Sequence, residues 1–377
     1  MVLSNRFRCM RLLGPIAVFL FNQYNVFAGQ ADTVKVIKRY VSIDNVCAWP
    51  NLTTLKDGTQ IVTIFNKPNH GRMQGDVECW ASTDGGASWT KRGVPAPHEL
   101  LTNRMNVAAG LAGNGDLIVI ASGWSLKESD KRDGLYDLIS VIRAWVSRSK
   151  DGGKTWKIDK NAFPVAEPGF TEYIPFGNIL KAGDGSLRVL AYNQSDNKVI
   201  NTVSMFRSTD DGSTWNWYSR ISDGKGATAF ASGHNETAFF HTGGENWIAS
   251  ARRWKAGQAM DLFCSEDDGK TWKMTVPLTG DNQHPGHIMR LHNGDLLLTF
   301  GNRKTGSNGI AVKVSKDNGK TWSNTQLIIS DLASFDCGYP ASVQLDDGSI
   351  MTVYYANGTP AHQRYHMGTV VWRFQKP

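Results

Sequence analysis

The chain repeats one eight-residue motif five times, and its clearest copy is Ser315-Lys-Asp-Asn-Gly-Lys-Thr-Trp322. The shared pattern is Ser-x-Asp-x-Gly-x-Ser/Thr-Trp, and successive copies start 67, 59, 57 and 50 residues apart. The other copies occupy residues 82–89, 149–156, 208–215 and 265–272. The aspartate can accept hydrogen bonds from the N–H groups of a tight turn, and the glycine can adopt positive φ. Five copies at such intervals predict a repeat architecture.

A second repeat alternates with this motif, which we call the Asp box, and consists of two apolar strands around a tight turn. Its copies occupy residues 49–65, 106–120, 176–192, 235–251, 285–300 and 339–355. The alternation and the turn residues predict β-hairpins. Four-stranded units bury both faces when they pack around a ring, so the sequence predicts an all-β, six-bladed β-propeller with five Asp-box hairpins. Strand-like residues 34–42 and 368–374 are expected to share a blade and close the ring.

The N-terminus has the features of a secretory signal peptide, predicted at residues 1–28. Arg6, Arg8 and Arg11 precede an apolar stretch, and Val26-Phe-Ala28 has the small residues of a cleavage site. Cleavage would leave one propeller domain at residues 29–377 in a secreted or periplasmic protein. It would also remove three arginines and lower the formal charge from +7 to +4. The remaining charge is not clustered, so we expect no nucleic-acid partner. No later stretch is apolar enough to span a membrane, so we expect no membrane insertion. We also expect a monomer.

Four cysteines follow the predicted signal: Cys47, Cys79, Cys264 and Cys337. None has the spacing of a metal site, so no metal or other cofactor is expected. Cys47 and Cys337 hold matching positions in blades that are predicted to be neighbours. The sequence leaves open whether they form a disulfide or remain buried free thiols.

The predicted blades direct several polar and aromatic side chains toward one mouth of the propeller. Counting from the hairpin turns places several residues there, among them Trp49, Asn235, Arg252, Arg253, Arg303 and Tyr339, and the spacing favours Arg252 over Arg253. A tyrosine with a pKa of ~10 needs an adjacent base to act as a nucleophile at neutral pH, and Glu236 can take its proton. Arginines at this mouth indicate an anionic ligand that is held by bidentate contacts.

This set resembles the catalytic residues of the sialidase (neuraminidase) superfamily, the BNR/Asp-box six-bladed propellers. Asn235-Glu236, with Arg252 sixteen residues later, resembles the catalytic glutamate and the second arginine of the family's triad. Gly301-Asn-Arg303 resembles the third arginine, and Asp336-Cys-Gly-Tyr339 resembles the segment of the nucleophilic tyrosine. The resemblance implies a retaining exo-glycoside hydrolase that removes a terminal acidic sugar, sialic acid by default, from glycans. Tyr339 would be the nucleophile and Glu236 its partner.

The sequence departs from the family at two places. The family opens its first blade with Arg-Ile-Pro, whereas this chain has Ala48-Trp-Pro50, so one arginine of the carboxylate clamp is missing. The family takes its general acid, an aspartate, from the loop at residues 66–78. Here Asp76 has the right side chain, while His70 is nearer the expected distance before the first Asp box. Arg72 in the same loop is a candidate replacement for the missing guanidinium.

The sequence leaves open which further residues contact a sugar and which of three functions the chain has. Trp49 can stack on a sugar face, and His287 is close enough to the predicted mouth to contact a sugar. A propeller enzyme that acts on another glycan, as a uronic-acid lyase or a non-sialic glycosidase, would account for Ala48. A non-catalytic carbohydrate-binding propeller is the third alternative. A lyase releases an unsaturated product, a hydrolase does not, and a binding protein holds glycan without turnover.

Overall fold

The computed structural model describes residues 33–131, 133–224, 232–254 and 257–375, and these residues form β-strands and no helix. The predicted all-β class is therefore confirmed. Within the same ranges, no helix is long and apolar enough to cross a membrane. The predicted signal peptide, residues 1–28, lies outside the described residues.

The first half of the chain forms three groups of four consecutive strands. The first group contains β2 (Cys47–Thr54), β3 (Gln60–Phe65), β4 (Val77–Ser82) and β5 (Thr90–Ala96). The second contains β6 (Asn106–Leu111), β7 (Leu117–Glu128), β8 (Tyr136–Ser149) and β9 (Lys157–Asp159). The third contains β10 (Ile174–Lys181), β11 (Leu187–Gln194), β12 (Asn201–Ser208) and β13 (Asn216–Ser222).

The second half continues the pattern and ends in a group that includes both ends of the described chain. One group contains β14 (His234–Gly243), β15 (Asn246–Arg253), β16 (Met260–Ser265) and β17 (Lys273–Pro277). The next contains β18 (Gln283–Arg290), β19 (Leu296–Asn302), β20 (Gly309–Ser315) and β21 (Gln326–Ile329). The last contains β22 (Cys337–Gln344), β23 (Ile350–Ala356), β24 (His366–Gln375) and β1 (Thr33–Asp44).

Hydrogen bonding joins these strands into five sheets, since the groups β6–β9 and β10–β13 form one eight-stranded sheet. The join is a short parallel pairing of β6 with β10. Each predicted hairpin is an antiparallel pair, from β2 with β3 to β22 with β23, so these predictions are confirmed. The pairing of β1 with β24 also confirms that the two ends of the described chain share a sheet.

The first strand of each group contacts the first strand of the next. The contacts run in the order β2, β6, β10, β14, β18 and β22, and β22 returns to β2. Apolar clusters fill the spaces between successive sheets. In one of them, Ile310 and Val312 of β20 pack with Tyr354 of β23 and Trp372 of β24. Burial of such surfaces contributes roughly 25 cal/mol per Å², which makes these contacts between sheets the main source of stability.

Each Asp box forms the turn that follows the third strand of its group. In the fifth box the Ser315 hydroxyl donates to Asp317 at 2.8 Å, and the Thr321 hydroxyl donates to the same carboxylate at 2.6 Å. The N–H of Gly319 donates to Ser315 at 2.8 Å, and Gly319 has a φ of +90°. These bonds recur in the other four boxes. The motif therefore closes its own turn with local hydrogen bonds.

The four cysteines among the described residues are free: Cys47, Cys79, Cys264 and Cys337. Cys47, Cys79 and Cys337 are buried. Of the two alternatives that the sequence left open, the structure has free thiols rather than a Cys47–Cys337 disulfide. Burial raises the pKa of the Cys79 thiol to about 12, so this thiol stays protonated at neutral pH.

Candidate active site

Four of the first strands, β2, β14, β18 and β22, begin with irregular pairing, and candidate residues lie at three of these places. The regular ladders of β2, β14 and β22 are interrupted near their first residues. The interruptions contain Trp49, Glu236 and Tyr339. Trp49 has a φ of +33° and Tyr339 a φ of +50°, which costs about 1–3 kcal/mol for each side chain. Such irregularities re-aim side chains away from the sheet faces, and here they direct them to one end of the central axis.

A cavity of about 510 Å³ lies at this end of the molecule. Seven of the residues that the sequence singled out line it: Trp49, His70, Asn235, Glu236, Arg252, Arg303 and Tyr339. Its outer wall is apolar and comes from β7 and β8, which are longer than the other hairpin strands and contribute Trp124, Leu138 and Ile139. The cavity thus combines a polar floor with an apolar side.

The floor contains a hydrogen-bonded group of three buried side chains. The Tyr339 hydroxyl donates to Oε1 of Glu236 at 2.7 Å. Nη1 of Arg252 donates to Oε2 of Glu236 and, at 3.3 Å, to the Tyr339 oxygen. Nη2 of Arg252 donates to Gln258 at 3.0 Å. Since all three side chains are at least nine-tenths buried, their interactions are poorly screened by solvent.

The electrostatics of this group keep the phenol protonated. Burial and the negative charge of Glu236 raise the pKa of Tyr339, although Arg252 and Arg303 act in the opposite direction. Burial by itself lowers the pKa of Arg252, but the interactions with Glu236 and Tyr339 outweigh it and raise that pKa overall. Tyr339 can therefore become a nucleophile only if its proton leaves during the reaction. The hydrogen bond to Glu236 gives that proton a direct acceptor.

Arg303 presents part of its guanidinium group without a protein partner. Its Nε donates to the carbonyl of Cys337 at 3.0 Å, and its guanidinium carbon lies 5.3 Å from the centre of the Tyr339 ring. Its Nη2 is buried and makes no hydrogen bond to the protein, and the same is true of Nε of Arg252. Both arginines line the cavity, and guanidinium groups at such a place are suited to an anionic group of a bound ligand.

The neighbouring Arg253 has a different environment, because successive residues of a strand point to opposite faces. Its Nε and Nη2 donate to the two oxygens of Asp261 at 2.8 and 2.6 Å. His234 contacts the same carboxylate at 3.0 Å. Arg253 and Asp261 are both buried, so this ion pair joins β15 to β16 and does not line the cavity.

Two sequence candidates from the loop between β3 and β4 lie away from the cavity. Asp76 accepts a hydrogen bond from the N–H of His98 at 2.8 Å and contacts the His98 ring at 2.6 Å. Arg72 donates to the carbonyl of Tyr136 at 3.0 Å and pairs with Asp133 at 3.2 Å. Neither side chain lines the cavity, so Arg72 does not stand where the arginine replaced by Ala48 would act.

His287 lies deeper along the axis. It contacts Asn178 at 3.1 Å and accepts a hydrogen bond from the N–H of Ser342 at 3.3 Å. It lines a small space of about 30 Å³ next to the buried sides of Trp49 and Tyr339. Burial lowers its pKa to about 4, so it is neutral at pH 7. In this structure it supports the cavity floor from below.

Sequence reasoning missed a second polar group beside the cavity. Asp336 contacts His70 at 2.9 Å, accepts a hydrogen bond from Tyr355 at 2.6 Å and accepts another from Tyr365. The sequence marked Asp336 only as part of the segment that leads to Tyr339. Tyr355 and the loop residue Tyr365 carry no motif, so only their proximity in the fold reveals the group.

The sequence profile of the BNR repeat-like domain family matches residues 71–352, which is most of the chain. The chain belongs to this family. Among curated relatives of this BNR repeat-like protein, a sialidase of Bacteroides fragilis (strain YCH46) is 27% identical over 273 residues. That alignment covers 59% of this chain and 46% of the relative. A sialidase of Clostridium perfringens is 23% identical over 248 residues, 55% of this chain and 62% of the relative. The chain thus spans about half the length of the first relative.

Solved structures support the same fold for the BNR repeat-like protein. A Dyadobacter fermentans DSM 18053 protein of unknown function has a TM-score of 0.76 at 20% identity, covering 91% of this chain and 99% of that one. A Hadza microbial sialidase has a TM-score of 0.64 at 17% identity, covering 88% and 66%. A Trypanosoma rangeli sialidase mutant displaying trans-sialidase activity has a TM-score of 0.65 at 14% identity, covering 90% and 60%. Together with the family match, they bear out the resemblance to the sialidase superfamily and a β-propeller-type fold.

Proposed function

We propose that this chain is an exo-glycoside hydrolase of sialidase type that removes a terminal acidic sugar from glycans, with sialic acid as the first substrate to test. The observation that carries the proposal is the 2.7 Å hydrogen bond from Tyr339 to Glu236 in the floor of the cavity. A phenol is neutral before it reacts, so it approaches an anomeric centre that bears a carboxylate without the repulsion that a second carboxylate would meet.

The proposed reaction proceeds with retention through two displacements. In the first, Glu236 takes the phenolic proton while the Tyr339 oxygen bonds to the anomeric carbon and the aglycone departs. In the second, water displaces the tyrosine oxygen, which recovers its proton from Glu236. Arg252 and Arg303, which line the cavity, bind the sugar carboxylate. Because Ala48 supplies no third guanidinium, this clamp has two arginines.

The proposal also covers the number of propeller blades and the export of the chain. We infer six blades, because the first strands of six groups contact one another in cyclic order and return to the start. We infer export of a single domain at residues 29–377, because residues 1–28 carry the features of a signal peptide. Trp49 and Asn235, at the starts of β2 and β14, are the residues we expect to contact the sugar ring.

The test is an assay of purified protein with an aryl α-sialoside, with the Tyr339→Phe variant in parallel. We expect turnover by the wild-type protein and a loss of more than about 10³-fold in the variant. Tyr354→Phe is the matched control, since Tyr354 is also buried and its hydroxyl accepts from Arg39 at 2.9 Å, away from the cavity. A folded wild-type protein without turnover, or an active Tyr339→Phe variant, would refute the proposal.

A second candidate is a reaction on a uronic acid by β-elimination. Two observations favour it: Ala48 replaces an arginine of the sialidase clamp, and His70 lines the cavity together with Tyr339. A tyrosine and a histidine can serve as the acid and the base of an elimination. The readout is the ultraviolet absorbance of an unsaturated uronate, measured with acidic polysaccharides as substrates.

A further inference from the structure

We infer that His70 gives a proton to the aglycone oxygen and later takes one from the attacking water, and that Asp336 is the positioning residue that holds His70 for this role. The inference rests on the proposed function, since it concerns the group that assists departure of the aglycone. The sequence left this role open between Asp76 and His70. The geometry distinguishes them, because His70 lines the cavity and Asp76 is held outside it by His98.

The contacts of Asp336 make its carboxylate an acceptor. Its Oδ1 lies 2.9 Å from Nδ1 of His70 and 2.6 Å from the hydroxyl of Tyr355, while its Oδ2 accepts from Tyr365. The Asp336 side chain is four-fifths buried. The three donors around its carboxylate favour the ionised form. Nδ1 of His70 must therefore carry a proton, and Nε2 is the nitrogen that remains for chemistry.

The imidazole ring is also held by its aromatic neighbours. The Trp49 ring lies 5.8 Å from the His70 ring at an interplanar angle of 78°, and the Tyr355 ring lies 6.0 Å away at 73°. Both aromatic rings also contact Tyr339, with centroid distances of 5.2 and 5.6 Å. His70 and Tyr339 thus share two neighbours and line one cavity. The histidine side chain remains 39% exposed and lines the cavity, so the ring is accessible to a ligand.

One backbone segment positions both halves of the site. Asp336 precedes Tyr339 by three residues in the approach to β22. Between them, Gly338 has a φ of +107°, and a Cβ there would lie 3.0 Å from the Cα of Gly301. The segment is therefore fixed against the neighbouring strand β19. This packing fixes the position of the Asp336 carboxylate, which orients His70, relative to the Tyr339 phenol, which attacks the sugar.

The proton transfers balance over the two displacements. When the bond between the anomeric carbon and the aglycone oxygen breaks, the protonated His70 gives its Nε2 proton to that oxygen. The neutral ring keeps its Nδ1 proton, which stays hydrogen-bonded to the Asp336 carboxylate. In the second displacement, Nε2 takes a proton from the attacking water, whose oxygen bonds to the anomeric carbon. His70 is then protonated again, and Glu236 returns its proton to the Tyr339 oxygen.

A leaving-group comparison tests this role. An aryl aglycone departs as a stable phenolate and needs little protonation, whereas a sugar aglycone needs a proton. His70 acts as a base on water in the second displacement with either substrate, so kcat/KM, which reports the first displacement, is the quantity to compare. We expect His70→Gln to lower kcat/KM for a sialyl disaccharide by about 10²- to 10⁴-fold, and for an aryl α-sialoside by less than about 10-fold. Asp336→Asn should give the same pattern with smaller losses. Asp196→Asn is the control, since Asp196 is an exposed carboxylate that lines the same cavity.

Two outcomes separate failure of this inference from failure of the proposed function. Equal losses of kcat/KM on both substrates in His70→Gln, or the selective loss in Asp196→Asn instead, would overturn the role of His70 while leaving the hydrolase in place. No turnover by wild-type protein would overturn the proposed function and, with it, the proton transfer to the aglycone. If Asp336→Asn does not fold, the His70→Gln comparison decides alone.

The arrangement of the pair has a readout that needs no turnover. Nitrogen-15 NMR of the histidine side chains reports which ring nitrogen bears the proton in the neutral form. We expect the Nδ1–H form for His70 in wild-type protein, with the Nδ1 proton signal shifted to low field by Asp336. A neutral His70 that carries its proton on Nε2 would contradict the positioning role of Asp336.

Discussion

The Asp-box turns and the cavity use similar side chains in opposite ways. In the fifth box, Ser315, Asp317 and Thr321 satisfy one another within seven residues of chain. In the cavity, Glu236 and Tyr339 are 103 residues apart, and buried donors of Arg252 and Arg303 have no protein partner. The boxes complete their hydrogen bonds locally and stabilise turns. The cavity leaves donors for a ligand, and the rest of the fold must hold them there.

The backbone repeats this contrast. Positive φ in the boxes falls on glycines such as Gly319, at +90°, and on Asp211, Asp268 and Asn318, residue types that tolerate this conformation better than most. Positive φ in the cavity falls on Ala48, Trp49 and Tyr339, where each side chain makes it unfavourable by about 1–3 kcal/mol. The boxes lie after the third strands of the groups, whereas the cavity residues lie near the starts of the first strands, so stability and function depend on different places in the same sheets. The following predictions test this separation.

The largest expected effect is on turnover in a variant that keeps its fold. Glu236→Gln keeps the size of the side chain, but its neutral amide cannot take the phenolic proton, and its NH2 group cannot accept a hydrogen bond as a carboxylate oxygen does. We expect kcat to fall by about 10²- to 10⁴-fold, with a smaller fall in the thermal melting temperature than Glu236→Ala produces. The exposed Glu245→Gln should leave both quantities unchanged. Wild-type kcat in Glu236→Gln would mean that the pair with Tyr339 is only structural.

The next effect is on stability within the cavity floor. Glu236→Ala leaves the charge of Arg252 buried and unpaired, so we expect a loss of about 3–5 kcal/mol in the free energy of unfolding. Urea denaturation measures it. The double variant Glu236→Ala/Arg252→Ala should recover part of this loss, because no uncompensated charge remains. A double variant less stable than either single variant would contradict the account of a coupled buried pair.

A pH-dependent effect is expected from His287. Burial lowers its pKa from 6.5 to about 4, so between these values the unfolded chain binds more protons than the folded one. Stability is then lost as the pH falls from 6.5 toward 4, by about 3 kcal/mol for this residue. His287→Gln should reduce the slope of unfolding free energy against pH in this window. The exposed His292→Gln should leave the slope as it is, and an unchanged slope in His287→Gln would contradict the prediction.

The smallest effect separates the cost of positive φ from the cost of packing, by comparing a glycine of the fifth Asp box with a glycine of a hairpin turn. Gly319 and Gly294 have φ values of +90° and +93°, but a Cβ on Gly319 would lie 2.8 Å from Cδ1 of Ile248, whereas nothing lies within 4 Å of one on Gly294. Gly319→Ala should therefore cost about 1 kcal/mol more than Gly294→Ala. Denaturation of the two variants measures the difference, and kcat should be unaffected in both. Equal costs would show that packing against Ile248 does not matter.

Much of the fold was predictable because its determinants are local. The Asp box needs a serine, an aspartate and a glycine at fixed short spacings, and the hairpins need alternation and a turn. Counting from those turns also selected Glu236, Arg252 and Tyr339 as neighbours. The first strands surround the central axis, and each of them starts where the second strand of its hairpin ends. The loop between β3 and β4 has no such periodicity. Spacing therefore favoured His70 and residue type favoured Asp76, and neither criterion could place the two side chains.

The sequence by itself determined the repeat, the hairpins, the all-β class and the strand positions from which the cavity residues come, because each depends on patterns within a few residues. Only the tertiary structure decided that His70 lines the cavity, that Arg72 is turned toward Asp133, and that His287 lies beneath the floor. It alone joined Asp336 to His70, Tyr355 and Tyr365. These contacts depend on how loops and sheets far apart in the chain pack together, and no short pattern encodes that packing.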